Sequence, residues 1–180
     1  MTLILLFQKE NYPLIREETW CNLIDDNKIS MQSLLDWNEY YIIVFFYPYQ
    51  YLNVDKFKIL IEAFQQKTKI SFNNYIIINE DEGKAIAEAL KITKTLTQIE
   101  LIRKNLNDNV VIPIAEALKK NNTLLELIIL YNNISYNGVK AIAEALKINT
   151  KLTFLWLDSK MIGYNGAIEI AKALKKNKTL

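Results

Sequence analysis

The side chains able to do chemistry in this chain are carboxylates, amines and a single thiol. There is no histidine, which excludes Ser–His–Asp and Cys–His nucleophilic pairs and the ordinary imidazole metal sites. The one cysteine, Cys21, lies between Trp20 and Asn22 in a stretch that reads as helical. A lone thiol in such a place is a small core hydrophobe. The four glycines, Gly83, Gly138, Gly163 and Gly166, form neither a G-x-G-x-x-G nor a G-K-[ST] pattern, so no phosphate-cradling loop is expected. Three of them stand at helix starts, where a turn accounts for them. No convergent pair of carboxylates and lysines is visible, so the chain is expected to be non-catalytic, with no cofactor and no metal.

Two charged clusters have a structural explanation. "NEDEG" at 79–83 lacks the ligand spacing of a calcium loop. Asn79 as a helix cap, followed by Glu80, Asp81 and Glu82 in the first turn, suits the positive end of a helix dipole. Lys91, Lys119, Lys147 and Lys175 form a column. Glu88, Glu116 and Glu144 each precede their lysine by three residues, so ion pairs along the helix surface account for them better than a basic stripe does.

The chemistry that remains is recognition. Three short β-like segments place Thr97, Gln98, Glu100, Ile102 and Arg103, then Leu125, Glu126, Ile128, Leu130 and Tyr131, then Thr153, Phe154, Trp156, Asp158 and Ser159 on the face turned away from the core. An exposed surface this rich in large apolar side chains marks an interaction site, with Trp and Tyr as its usual anchors. Ile128, Leu130, Tyr131, Phe154 and Trp156 are therefore expected to bind a protein partner, flanked by Glu100, Arg103 and Asp158.

The elements that must position these residues repeat. Leu96, Leu124, Leu152 and Leu180 recur every 28 residues, as do Ala87, Ala115, Ala143 and Ala171, and Leu90, Leu118, Leu146 and Leu174. Within one period "TLLELIILYNNI" at 123–134 alternates as a strand, and "YNGVKAIAEALK" at 136–147 sets Val139, Ile142, Ala143 and Leu146 at helical spacing. Each unit thus reads strand, loop, helix and tight return, and stacked units bury together the stripe that one helix alone would expose. The spacing predicts parallel strands near 97–102, 125–130 and 153–157 and helices near 110–120, 138–148 and 165–176. Clear units span 95–122, 123–150 and 151–178. Degenerate ones span about 41–68 and 69–94, and 1–40 is read as an N-terminal capping region.

"LLELIILYNNI" fits L-x-x-L-x-L-x-x-N-x-L through Leu124, Leu127, Ile129, Asn132 and Ile134. In that pattern and its period the chain resembles the ribonuclease-inhibitor type of leucine-rich repeat. The resemblance implies an α/β solenoid, a horseshoe with a parallel sheet on the concave face and helices on the convex one. It allows roles in inhibition, sensing or regulation. Lys104 and Lys160 replace the pattern's asparagine, so a hydrogen-bonding asparagine is expected only at Asn132.

A formal charge of +2 gives no electrostatic reason to expect nucleic acid or acidic lipid as partner. The longest apolar run, "YYIIVFFYPY" at 40–49, is about half the length needed to span a membrane. With one cysteine and no basic leader before "MTLILLF", an intracellular setting is expected. Of the glycosylation sequons beginning at Asn121, Asn133 and Asn177, none is given weight. An alternative to hetero-partner binding is a structural or self-assembling module, or a piece of a longer array, that forms homo-oligomers through its open C-terminal edge.

Overall fold

The computed structural model describes residues 3–6, 41–46, 65, 68–72, 77–159 and 161–180. Six strands form one sheet whose order follows the chain: β1 (Leu3–Leu6), β2 (Tyr41–Phe46), β3 (Lys69–Phe72), β4 (Gln98–Glu100), β5 (Glu126–Asn132) and β6 (Phe154–Ser159). β1 pairs antiparallel with β2, and every later neighbour is parallel. Four described helices alternate with the strands: α1 (Glu80–Ile92), α2 (Asp108–Leu118), α3 (Tyr136–Leu146) and α4 (Gly163–Leu174). Consecutive helices pack on one another. The class is mixed α/β, as expected from strands alternating with helical periodicity.

One core lies between the helices and a single face of the sheet. Ile70, Ile99, Leu127 and Leu155 stand in register across β3 to β6, and the first three are fully buried. They meet Ile86 and Leu90 of α1, Val110, Ile114 and Leu118 of α2, and Val139, Ile142 and Leu146 of α3. Full burial of each such side chain contributes roughly 1.5–3 kcal/mol. The alanine column fills the places where helix axes approach: Ala87, Ala115 and Ala143 are all buried.

Local signals set the helix starts. Asn79 and Glu82 form a reciprocal capping box on α1, with Glu80, Asp81 and Glu82 in the first turn. Asn107 caps α2 by accepting the Val110 N–H. Ser135 caps α3 without a side-chain bond to its own helix; its N–H and hydroxyl both donate to the Asp108 carboxylate of the preceding unit. These caps start α2 and α3 two residues before the expected windows, and Lys119 and Lys147 close them as C-caps. The expected lysine–glutamate pairs form at Lys91–Glu88, Lys119–Glu116 and Lys147–Glu144. In the last unit the pair is Lys172–Glu169 instead.

Gly83 and Gly138 do more than make turns. A Cβ on Gly83 would lie 2.7 Å from Val110 Cγ1, and one on Gly138 would lie 2.7 Å from Asp108 Oδ1. Glycine is required there by close approach of neighbouring units. Gly163 does have the left-handed backbone of a turn, at φ 62°.

A second repeating feature joins each helix to the next strand. The Asn149 side-chain amide donates to the carbonyls of Leu118 and Asn121, and its oxygen accepts the N–H groups of Lys151 and Leu152. Asn177 repeats this with Leu146, Asn149, Thr179 and Leu180, and Asn121 reaches back to Leu90 while holding Thr123 and Leu124. Two of the three sequon asparagines are thus committed to the framework. At the strand ends Asn132 plays a separate part. It accepts from the Lys104 and Leu106 N–H groups and donates to the Leu101 and Leu130 carbonyls.

The expected capping region and the unit at 41–68 fall largely outside the described residues, as do Cys21 and Lys160. Within them, "TLILLF" contributes β1 and the segment from Tyr41 contributes β2.

Candidate functional site

The face of the sheet opposite the helices carries the residues singled out for recognition. Strand pairing aligns them in two rows: Lys69, Gln98, Glu126 and Phe154, then Ser71, Glu100, Ile128 and Trp156. Alternation along a strand is what brings them to this side, because their immediate neighbours Ile70, Ile99, Leu127 and Leu155 turn into the core. Both rows run from polar at β3 to aromatic at β6.

The polar half satisfies itself. Lys69 Nζ lies 2.8 Å from Glu100 Oε1, and Gln98 Nε2 donates to the same oxygen at 2.9 Å. The aromatic half is open: Phe154 is 45% and Trp156 54% exposed, with Ile128 half-buried beside them and Asp158 exposed at the end of β6. Tyr131 is 59% exposed, and the Arg103 guanidinium lies over its ring, 5.1 Å from the centroid.

Leu130 departs from expectation. It keeps its place in the outward row, paired with Asp158 as Ile128 is with Trp156, but is only 7% exposed. The β5–β6 register shifts after it, and Tyr131 there has a positive φ of 55° and is exposed. The sequence pattern also gave no sign of Lys69 as part of the face, since the shortened unit around Ile70 hides the register that pairs Lys69 with Gln98. Leu125, exposed at 41% just before β5, was visible in the pattern.

Behind the face stands a buried amine. Lys104 is fully buried, its Nζ has no hydrogen-bond partner among the described residues, and burial pushes its pKa down to about 7. Among the described residues no group of three His, Cys, Asp or Glu side chains is placed to hold a metal ion, and no helix is long and apolar enough to cross a membrane.

No family model matches the chain, and no curated protein matches it. Solved structures do. Leiomodin-1 actin-binding site 2 matches with a TM-score of 0.63 and 28% identity, over 73% of this chain and 78% of that one. The tropomodulin C-terminal domain of Caenorhabditis elegans matches with a TM-score of 0.45 and 12% identity, over 67% of this chain and 92% of that one. The leiomodin-1 match corrects the family expectation: the chain's structural likeness is to that domain and not to ribonuclease-inhibitor-type repeats. The residues that carried the resemblance, Leu124, Leu127, Ile129, Asn132 and Ile134, are all buried framework. Any stack of strand–helix units needs such residues, so they do not discriminate among families.

Proposed function

We propose that the chain is a non-catalytic protein-binding module that takes its partner on the exposed sheet face, with actin as the first partner to test. The observation that carries this reading is the Ile128, Tyr131, Phe154 and Trp156 cluster. Trp156 and Tyr131 are more than half exposed on strands whose opposite side chains are buried, the arrangement of an anchor surface. The likeness to a structure named as an actin-binding site supports the partner, and an actin partner fits an intracellular setting. On this reading 41–68, 69–94, 95–122, 123–150 and 151–178 form one curved solenoid behind a capping region at 1–40. Glu100, Arg103 and Asp158 rim the contact.

The test is calorimetric titration of the full chain with monomeric actin, and co-sedimentation with filaments. Trp156→Ala should weaken binding by at least ~2 kcal/mol, about thirtyfold, as hot-spot aromatics do. Its circular dichroism should be unchanged, because the side chain is half exposed. Equal affinity in the variant moves the site away from this face, and absence of binding by the wild-type chain removes actin.

A second reading, self-assembly, rests on β6, the edge strand of the sheet. Ala171 and Leu174 of α4 are exposed, whereas Ala143 and Leu146, which hold the same places in α3, are buried. An edge of this kind favours pairing with another chain. Light scattering of the purified chain separates the two readings, because a monomer at high concentration excludes self-assembly.

A further inference from the structure

Arg103 and Tyr131 stand 28 residues apart, the first three residues past β4 and the second near the end of β5, and share an uncommon backbone. Their φ angles are 56° and 55°. That left-handed region disfavours side chains with a Cβ and is normally filled by glycine or asparagine. Asn105, at φ 54°, follows the rule. Arg103 and Tyr131 do not: two large side chains are retained where glycine would be easier, and the two touch each other.

The choice of arginine is informative. The chain has 22 basic residues, of which only Arg16 and Arg103 are arginines. A lysine would serve for solubility, whereas a guanidinium both stacks on a ring and presents a planar fork of donors. The Arg103 guanidinium lies over the Tyr131 ring, 5.1 Å from its centroid, and the Arg103 backbone N–H is fixed to the Leu130 carbonyl at 2.9 Å. Among the described residues the guanidinium has no carboxylate partner; Glu100, earlier on the same segment, is taken by Lys69.

We infer that Arg103 and Tyr131 form a carboxylate-recognition corner, which takes an Asp or Glu side chain of the partner while an adjacent apolar residue rests on Phe154 and Trp156. This rests on the sheet face being the contact surface. A single carboxylate matches the single guanidinium of the corner. A dianionic phosphate fits less well, because Glu126 and Asp158 already stand on the same face.

The experiment selects random-sequence peptides displayed on phage against the full chain, and so needs no assumption about the natural partner. The expected winners carry an acidic residue beside an aromatic or aliphatic one. Their affinity, measured by fluorescence anisotropy, should fall about tenfold in Arg103→Ala and recover only partly in Arg103→Lys, since an ammonium lacks the fork. Replacing the peptide's acid by its amide should cost the same factor against the wild-type chain and nothing further against Arg103→Ala. The thermal midpoint of each variant, measured alongside, confirms that it is folded. Peptides that lack an acid but still lose binding in Trp156→Ala overturn the corner and leave the face. Enrichment of acidic peptides whose affinity is unchanged in Arg103→Ala, or of no peptide at all, overturns the corner as well, and the latter removes the face with it.

Discussion

The carboxamide oxygen of Asn132 accepts the backbone N–H of Lys104 at 2.9 Å, and Lys104 holds in its own unit the place that Asn132 holds in the next. The asparagine satisfies four backbone groups. The lysine side chain makes none of these bonds and brings a buried amine without a partner among the described residues instead.

Lys104 should therefore give stability a pH dependence of definite sign. Its folded pKa is about 7 against an ordinary 10.5. Between those values the unfolded chain binds more protons, so stability rises with pH through that window and is lowest, and flat, below about 7. Lys104→Met should abolish this component. Near neutral pH it should also stabilise by roughly 1–3 kcal/mol, the usual cost of an unsatisfied buried polar group. Urea titrations of both proteins across the window check it; parallel curves would show that the amine is solvated in the folded state.

Asn149→Ala should be among the most damaging polar substitutions. It strands two carbonyls and two N–H groups at one helix-to-strand return, so a loss of at least ~2 kcal/mol is expected. Asn177→Ala should cost less, because its site is only partly buried. The difference between the two denaturation midpoints is the measurement.

Gly83→Ala places a methyl group 2.7 Å from Val110 Cγ1 and 3.1 Å from its Cα. Overpacking of this kind costs typically ~1–3 kcal/mol. Adding Val110→Ala should return only part of it, since the backbone contact remains. A double-mutant cycle would report that coupling directly, and additivity of the two changes would refute it.

Asn79→Ala removes one half of the α1 capping box and should destabilise by about 1 kcal/mol. Amide exchange should localise the effect to the first turn of α1, around Glu82 and Gly83.

Much of this fold was legible because the leucine and alanine columns report burial at fixed spacing, and burial is the dominant stabilising term. The β5 and β6 strands, α2 to α4 and the outward placement of Phe154 and Trp156 follow from that pattern. What stayed hidden depends on backbone detail. Leu130 is buried although it stays in the outward row beside Asp158, and no hydrophobic pattern reveals a positive φ at a tyrosine. The asparagine returns at Asn121, Asn149 and Asn177 were written in the sequence with the same period, but two of them read as sequons. The family was misread because Leu124, Leu127, Ile129, Asn132 and Ile134, which carried the resemblance, are buried framework that any such stack needs.

Identical columns also carry a hazard in folding. Because strand order follows chain order, each correct closure spans about one unit, and a unit that skipped its neighbour to stack on the next would close a loop roughly twice as long. Doubling a loop costs only about 0.6 kcal/mol. Leucine matched to leucine and alanine to alanine would discriminate poorly against such a slip. Among the described residues the contacts that do discriminate differ from one junction to the next: Gly83 against Val110 and Glu80 with Asn109 between α1 and α2, and Asp108 with Ser135 between α2 and α3. These pairings number the units, and they keep a repetitive chain from assembling out of order.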